Sequence, residues 1–249
     1  KDKRILIWSE QGVGDTINWS SYIPFVVSQA KHCVLECQEK LVPLLKRSFP
    51  NIEVKAENRA MDLKREDIDF HLPMGNLYKN FINEILISNK ADAHLFPDPV
   101  RITIWKERLK SLGKGPYIGI CWKSILMTPE RLPNYALISE WSPIFTIPNV
   151  KFINLQPNDF EADLKKIKSD FGVKVHNFKD LDHLNDLDDV AALCAALDLV
   201  VSNKTSVPLI SAGVGTPTKL ANWRQSSWNN PLLNPRGSSV DIYERDTWD

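Results

Sequence analysis

Three short stretches of this chain bring together residue types that handle phosphates and protons. The first is Ser9-Glu10-Gln11-Gly12-Val13-Gly14-Asp15-Thr16, set between an apolar strand-like run and a helix-like run. Gly12 and Gly14 let a ligand approach the backbone, and the helix that follows presents free N–H groups and the positive end of its dipole. Gln11, Gly12 and Gly14 thus read as a binding loop. Asp15 is open to two readings: a cap for the helix through the amides of Thr16 and Ile17, or a carboxylate that acts on a bound acceptor. The dinucleotide fingerprint G-x-G-x-x-G fails at Ile17, so a Rossmann cofactor is not indicated.

The second stretch is Ile118-Gly119-Ile120-Cys121-Trp122-Lys123-Ser124, followed by a loop that reaches Arg131. Lys123, Ser124 and Arg131 stand beyond the carboxyl end of a strand, where open α/β sheets bind ligands, and a phosphate would fit there. The plainer alternative is that they are solvated loop charges. In the third stretch, Ser202-Asn203-Lys204-Thr205-Ser206 joins a strand to a helix, and Asn203, Lys204, Thr205 and Ser206 form a second phosphate cradle.

Other patterns carry little. Asp67-Ile68-Asp69, Asp180-Leu181-Asp182 and Asp186-Leu187-Asp188 all match D-x-D, and three matches in an Asp-rich chain show how cheaply that metal-holding pattern arises. His32, His71, His94, His176 and His183 form no i, i+4 pair, so no zinc helix is indicated and no metal is expected. There is no G-x-S-x-G elbow and no P-loop. Trp223 and Trp228 read as packing anchors before sugar platforms.

The elements that position these stretches alternate strand and helix, which predicts α/β layers with largely parallel sheets. Strands are expected at Arg4–Ser9, Cys33–Cys37, Ile52–Val54 and Asp69–Leu72, with helices at Thr16–Gln29 and Glu39–Ser48. A surface connection over Asn89–Pro99 and a helix over Ile102–Leu112 follow. Gly113, Gly115 and Pro116 then punctuate the chain. Beyond them, strands are expected at Tyr117–Trp122, Val150–Leu155, Val173–Phe178, Leu199–Ser202 and Thr218–Ala221. Helices are expected at Asn134–Phe145, Asp159–Phe171, Asp188–Leu197 and Ser206–Gly213. Two α/β domains, residues 1–113 and 114–249, hinged near 113–116 and able to close on a ligand, is the simplest assembly.

Composition narrows the classes. The 249 residues are 43% hydrophobic and 25% charged, a globular balance. Lys+Arg 31 against Asp+Glu 31 leaves no net charge, which removes the bulk attraction of a nucleic-acid binder. Any anionic ligand must be held locally. Cys33, Cys37, Cys121 and Cys194 contain no C-x-x-C pair and read as buried small hydrophobes in a reducing compartment. No apolar run reaches the ~18 residues of a membrane span, so a cytoplasmic location is expected. The start at Lys1, without Met, points to a piece of a longer protein.

Taken together, the motifs resemble glycosyltransferase family 9, the heptosyltransferase-like bacterial proteins, and especially the version that follows tetratricopeptide repeats. Glu10-Gln11-Gly12-Val13-Gly14-Asp15-Thr16-Ile17 is similar to its opening E-Q-G-x-G-D-T-I. Asp69 to Met74 with Asn76-Leu77, and then Leu95 to Pro99, resemble its D-x-x-x-P-x-x-S-L and Y-L-x-P-D-P. Ile118 to Ser124 resembles G-I-x-W-x-S, and Asp189 to Ser202 resembles D-T-A-A-L-I-x-x-L-D-L-V-I-S. The resemblance spans nearly the whole chain. It implies a GT-B fold, two Rossmann-like domains facing a cleft, with the acceptor on the N-terminal side and a nucleotide-sugar donor on the C-terminal side.

It also implies an inverting transfer with Asp15 as the base. The donor is a substrate, so no cofactor is expected. The acceptor is a hydroxyl of a glycan, a lipid-linked sugar or a protein, and tetratricopeptide repeats are a possible partner. Lys123, Ser124, Thr205 and Ser206 match the positions that would receive the leaving diphosphate. One departure stands out: Lys204 replaces the family's Asp and Leu209 its His in D-T-x-x-x-H-L-A-G-A-x-G-x-P. Either the donor differs, or the domain is a non-catalytic module that binds a nucleotide, a sugar or a protein without transferring.

Overall fold

The computed structural model describes residues 3–58, 66–87, 93–158, 160–223 and 240–245. Its first part runs β1 (Arg4–Trp8), α1 (Val13–Ser20), α2 (Ile23–Val27), β2 (His32–Cys37), α3 (Val42–Ser48), β3 (Glu53–Ala56), β4 (Phe70–Pro73), α4 (Leu77–Ile87) and α5 (Pro99–Lys110). There follow β5 (Tyr117–Cys121), α6 (Ser142–Phe145), β6 (Lys151–Asn154), α7 (Glu161–Phe171), β7 (Val175–His176), α8 (Leu187–Ala196), β8 (Leu199–Asn203), α9 (Val207–Gly213), β9 (Thr218–Trp223) and β10 (Val240–Arg245). The strands form two parallel sheets, ordered β3-β2-β1-β4 and β10-β9-β8-β5-β6-β7. Ile5 lies opposite Cys33 and Phe70 in the first, and Ile118 opposite Phe152 and Leu199 in the second.

Strands covered on both faces read as near-continuous apolar runs, which is why Ile-Leu-Ile of β1 and Ile-Gly-Ile-Cys of β5 take the central places. Two apolar clusters result. One runs from the first sheet through α3, α5, α8 and α9 and includes Ile7, Leu35, Leu44, Trp105, Leu193 and Leu209. The other covers the opposite face of the second sheet with Ile120, Trp122, Trp141, Phe145, Phe152 and Ile167. All four cysteines are buried free thiols.

Strand order reverses once in each sheet. The chain lays β1, β2 and β3 outward and then returns to place β4 on the other side of β1; likewise β5, β6 and β7 precede β8, which joins the other side of β5. Each reversal opens a crevice at the carboxyl ends of the strands, the usual ligand position in open α/β sheets. The loop carrying Asp15 leaves β1, and the loops carrying Lys123 and Lys204 leave β5 and β8.

Several expected elements differ in detail. The helix expected over residues 16–29 is two helices, because Pro24 has no N–H to continue the first and its ring blocks the preceding turn. The helix expected over 134–145 is a pair of 3-10 turns, Leu132–Asn134 and Ile138–Trp141, before the short α6, with Pro133 and Pro143 as the interruptions. Helix α4 and strand β10 were not foreseen. Residues 88–92 and Trp228 lie outside the described residues, as does the side chain of Trp223.

The expected surface connection holds at Ala93 and Phe96, which are exposed, but Leu95 and Pro97 are buried as the segment 93–98 straps under the end of α9. Leu95 is 1% exposed, and the amides of His94 and Leu95 both donate to the Gly213 carbonyl at 2.9 Å. A Cβ on Gly213 would stand 2.5 Å from Leu95 Cδ1, so only glycine allows that closeness. Beyond the strap, α5 packs on α8. Trp105 Nε1 donates to Asp189 at 2.8 Å, Arg108 lies 4.2 Å above the Trp105 ring, and Arg101 pairs with Asp186 at 2.7 Å. Arg47 of α3 reaches the almost fully buried Asp188 at 2.7 Å.

These contacts account for the D-x-D pairs. Asp180, Asp186 and Asp188 are held by Arg108, Arg101 and Arg47, while Asp182 accepts the Leu184 and Asn185 amides. Asp67 and Asp69 pair with Arg4 and Lys3. Among the described residues no three His, Cys, Asp or Glu side chains cluster as a metal site, and no helix is long and apolar enough to cross a membrane.

Candidate active site between the two crevices

The first crevice is a backbone loop tied at several points. Glu10 accepts the Gly75 amide at 3.0 Å, the Gln11 carbonyl accepts Gln38 Nε2 at 2.8 Å, and Thr16 Oγ1 donates to Gln38 Oε1 at 3.1 Å. Gly12, in extended conformation, is the N-cap of α1, so Asp15 sits within the first turn and is not the cap itself. Its Oδ2 accepts the Gly12 amide at 3.2 Å. Burial pushes the Asp15 carboxyl above its ordinary value, opposed by the Gly12 and Asp15 amides and by the charges of Arg131 and Lys204. A carboxylate raised in this way is a better proton acceptor than a solvated one.

The second crevice faces it. Gly14 lies against the start of α9: a Cβ there would stand 3.2 Å from Leu209 Cδ1 and 3.7 Å from Ser206 Cα. Lys204 precedes that helix and is half-buried. Burial and the neighbouring Arg131 charge push its ammonium down to about 7, against the pull of Asp15. Tyr135, on the same loop as Arg131, donates its hydroxyl to the Lys204 carbonyl at 3.3 Å and also hydrogen-bonds Ser124. Leu209, standing where the family has His, is core.

The expected site residues therefore divide. Gly14 packs against Ser206 and Asp15 lies within electrostatic reach of Arg131 and Lys204, with Gln11 and Gly12 exposed at the lip of the opening. Ser124 accepts the Leu126 amide at 3.3 Å and stays at the edge through Tyr135. Lys123 turns away: its ammonium pairs with Asp163 at 2.7 Å, and Trp122 Nε1 donates to the same carboxylate at 2.8 Å. Asn203 is buried, its amide donating to the Trp122 carbonyl at 2.6 Å. Thr205 Oγ1 accepts the Val207 amide at 3.2 Å, tying the loop to the first residue of α9.

Two further residues shape this site without having been expected. Gln156, fully buried just beyond β6, accepts from the Trp122 and Lys123 amides at 3.3 and 3.1 Å and fixes the turn that leaves β5. A polar residue directly after an apolar strand, the pattern that singled out Lys123 and Asn203, would have found it. Tyr135 carried no such signal. Beside the first crevice, Gln38, Glu39, Lys40, Ala56, Glu57 and Asn185 line a polar cavity of about 550 Å³.

Comparison with known proteins places the fold. No family model matches the chain. Protein FlbA of Caulobacter vibrioides is 32% identical over 231 residues, covering 87% of this chain, but the chain spans only 39% of that protein. Among solved structures, a glycosyl transferase of family 9 from Veillonella parvula superposes over 100% of this chain and 89% of its own, with TM-score 0.70 and 14% identity. The ADP-heptose LPS heptosyltransferase II of E. coli gives 0.59 and 12% over 96% and 90%, and E. coli heptosyltransferase WaaC, solved with ADP-2-deoxy-2-fluoro heptose, gives 0.60 and 11% over 96% and 92%. The chain thus has the GT-B fold, with Rossmann-like parallel sheets.

Proposed function

We propose that this chain is an inverting, metal-independent glycosyltransferase of family 9, heptosyltransferase-like, moving a sugar from a nucleotide-sugar donor to an acceptor hydroxyl. The supporting observation is that Gly14 of the first crevice packs on Ser206 of the second, which brings Asp15 within electrostatic reach of Arg131 and Lys204. In such a transfer the acceptor oxygen bonds the anomeric carbon as its proton passes to Asp15. The bond from that carbon to the phosphate oxygen breaks, and its electron pair leaves on the phosphate. The departing charge needs donors already in place, and the two side-chain cations would supply them without a metal.

The acceptor belongs on the N-terminal side, where the polar cavity beside Gln38 suits a hydroxyl-bearing glycan, lipid-linked sugar or protein. We take residues 1–113 and 114–249 as the acceptor-side and donor-side units, hinged near residues 113–116. We also take the chain to be the catalytic part of a longer cytoplasmic protein with tetratricopeptide repeats. Incubation with a panel of nucleotide sugars, following free nucleoside diphosphate with and without cell extract as acceptor, tests the assignment. Extract-dependent release supports it.

A second reading rests on Lys204 and Leu209, which replace the family's Asp and His, and on the pairing of Lys123 with Asp163. These favour a module that binds a nucleotide, a sugar or a protein without transfer. Nucleotide binding with no turnover on any donor would select it.

A further inference from the structure

The two cations opposite Asp15 can serve only one anion fully. Gly14 packed on Leu209 and Ser206 fixes the α1 turn against the loop between β8 and α9, and Tyr135 fastens the Arg131 loop to the Lys204 carbonyl. Asp15, Arg131 and Lys204 are thereby carried by three converging segments, near enough for their charges to act on one another. Other charged side chains around the site have partners of their own: Glu10 the Gly75 amide, Glu57 Ser9, Glu130 Thr128, and Lys123 Asp163. Helix α9 carries no charge of its own.

We propose that Asp15 and the phosphate of a bound donor compete for Arg131 and Lys204, so that donor binding makes the carboxylate a stronger base than it is in the free protein. This rests on the nucleotide-sugar reading of the site. Before donor arrives, Arg131 and the protonated Lys204 stabilise the Asp15 carboxylate and offset part of the rise in basicity that burial gives it. A phosphate seated on the same cations takes over that stabilisation and adds its own repulsion, so the carboxylate's proton affinity rises when an acceptor can be used. During transfer the proton moves to Asp15, and the cations receive the phosphate that leaves. The order of events, donor before deprotonation, is then built into the charge arrangement.

Because such coupling is reciprocal, removing the Asp15 charge must tighten phosphate binding. Calorimetric titration with UDP, GDP, ADP and CDP tests this on the wild type and on Asp15→Asn, whose side chain can still accept the Gly12 amide. The nucleotide that binds the wild type should bind Asp15→Asn about three- to ten-fold more tightly at low salt, and the gain should shrink in Lys204→Ala. Equal or weaker binding by Asp15→Asn, or an undiminished gain in Lys204→Ala, overturns the proposal. In the same samples, the ¹³C signal of the Asp15 carboxyl should titrate at higher pH when nucleotide is bound; an unmoved midpoint also overturns it. If no nucleotide binds the wild type, the nucleotide-sugar reading itself fails; binding without the gain sinks the competition alone.

Discussion

Lys123 and Lys204 occupy corresponding places, each just beyond the carboxyl end of a central strand of the same sheet. Their surroundings differ in sign. Lys123 finds Asp163 of α7 at 2.7 Å, a carboxylate that Trp122 also holds, and forms a local ion pair. Lys204 finds Arg131, a like charge, and Asp15 arriving from the other sheet. The first arrangement is an ion pair closed on itself, whereas in the second two basic side chains share the influence of one carboxylate. Position at a strand end nominates a cation, and its neighbours decide what it does.

The contrast is tested most severely at the carboxylate. Asp15→Asn should cut turnover by about 10²- to 10⁴-fold, the range for a lost general base, without weakening nucleotide binding. Thermal stability should hardly change, since Asn can accept the Gly12 amide as Asp does. Donor turnover and a melting curve on the same preparation check both halves, and full turnover would remove Asp15 from the chemistry.

Next in size is Lys204→Ala, which should weaken nucleoside diphosphate binding by roughly 1.5–3 kcal/mol, as for a charged hydrogen bond. The loss should grow as salt is lowered. The free protein should move the other way. Folding holds the Lys204 ammonium near 7, below its ordinary 10.5, so its burial costs stability fully below pH 7 and less as pH climbs toward 10.5. Lys204→Met should therefore melt higher than wild type at pH 6, with the gap closing by about pH 10. A variant that binds as well as wild type, or melts lower at pH 6, would break the comparison.

A smaller effect appears in the pH dependence of binding. As pH rises through about 7, Lys204 loses its proton and nucleotide affinity should fall several-fold. Lys204→Arg, which stays charged throughout, should flatten the curve. A wild-type profile already flat between pH 6 and 8 would show that Lys204 lies outside the binding site.

Much of this was legible in the sequence. Apolar runs of the right length marked nine of the strands, whereas the order in which they pair, with its reversal in each sheet, is visible only in the structure. The glycine loop before Asp15 was recognisable because only small residues permit that approach, and Gly14 does meet Leu209. What escaped was long-range. The strap at 93–98 looked like a surface loop because Pro97 and Pro99 are turn residues, whereas its burial comes from Gly213, more than a hundred positions away. The fate of Lys123 depends on Asp163, forty residues on, and no local pattern announces that pair. Tyr135 matters through one hydroxyl that happens to reach the Lys204 carbonyl.

The smallest expected effect concerns Lys123, and it is the one that sharpens the contrast most. Both partners of the Lys123–Asp163 pair are 23% exposed on their side chains, so solvent screens the pair only in part. Lys123→Met keeps the apolar stem and removes the charge, leaving Asp163 with the Trp122 indole as partner. Stability should fall by about 1 kcal/mol, and a cycle with Asp163→Asn should recover most of that loss, because the uncompensated charge is then gone. Nucleotide affinity should stay within about two-fold, since a lysine already neutralised by its own carboxylate has little attraction left for a phosphate. If Lys123→Met instead weakened binding as strongly as Lys204→Ala, Asp163 would have to release Lys123 when ligand arrives, and the two lysines would be equivalent after all.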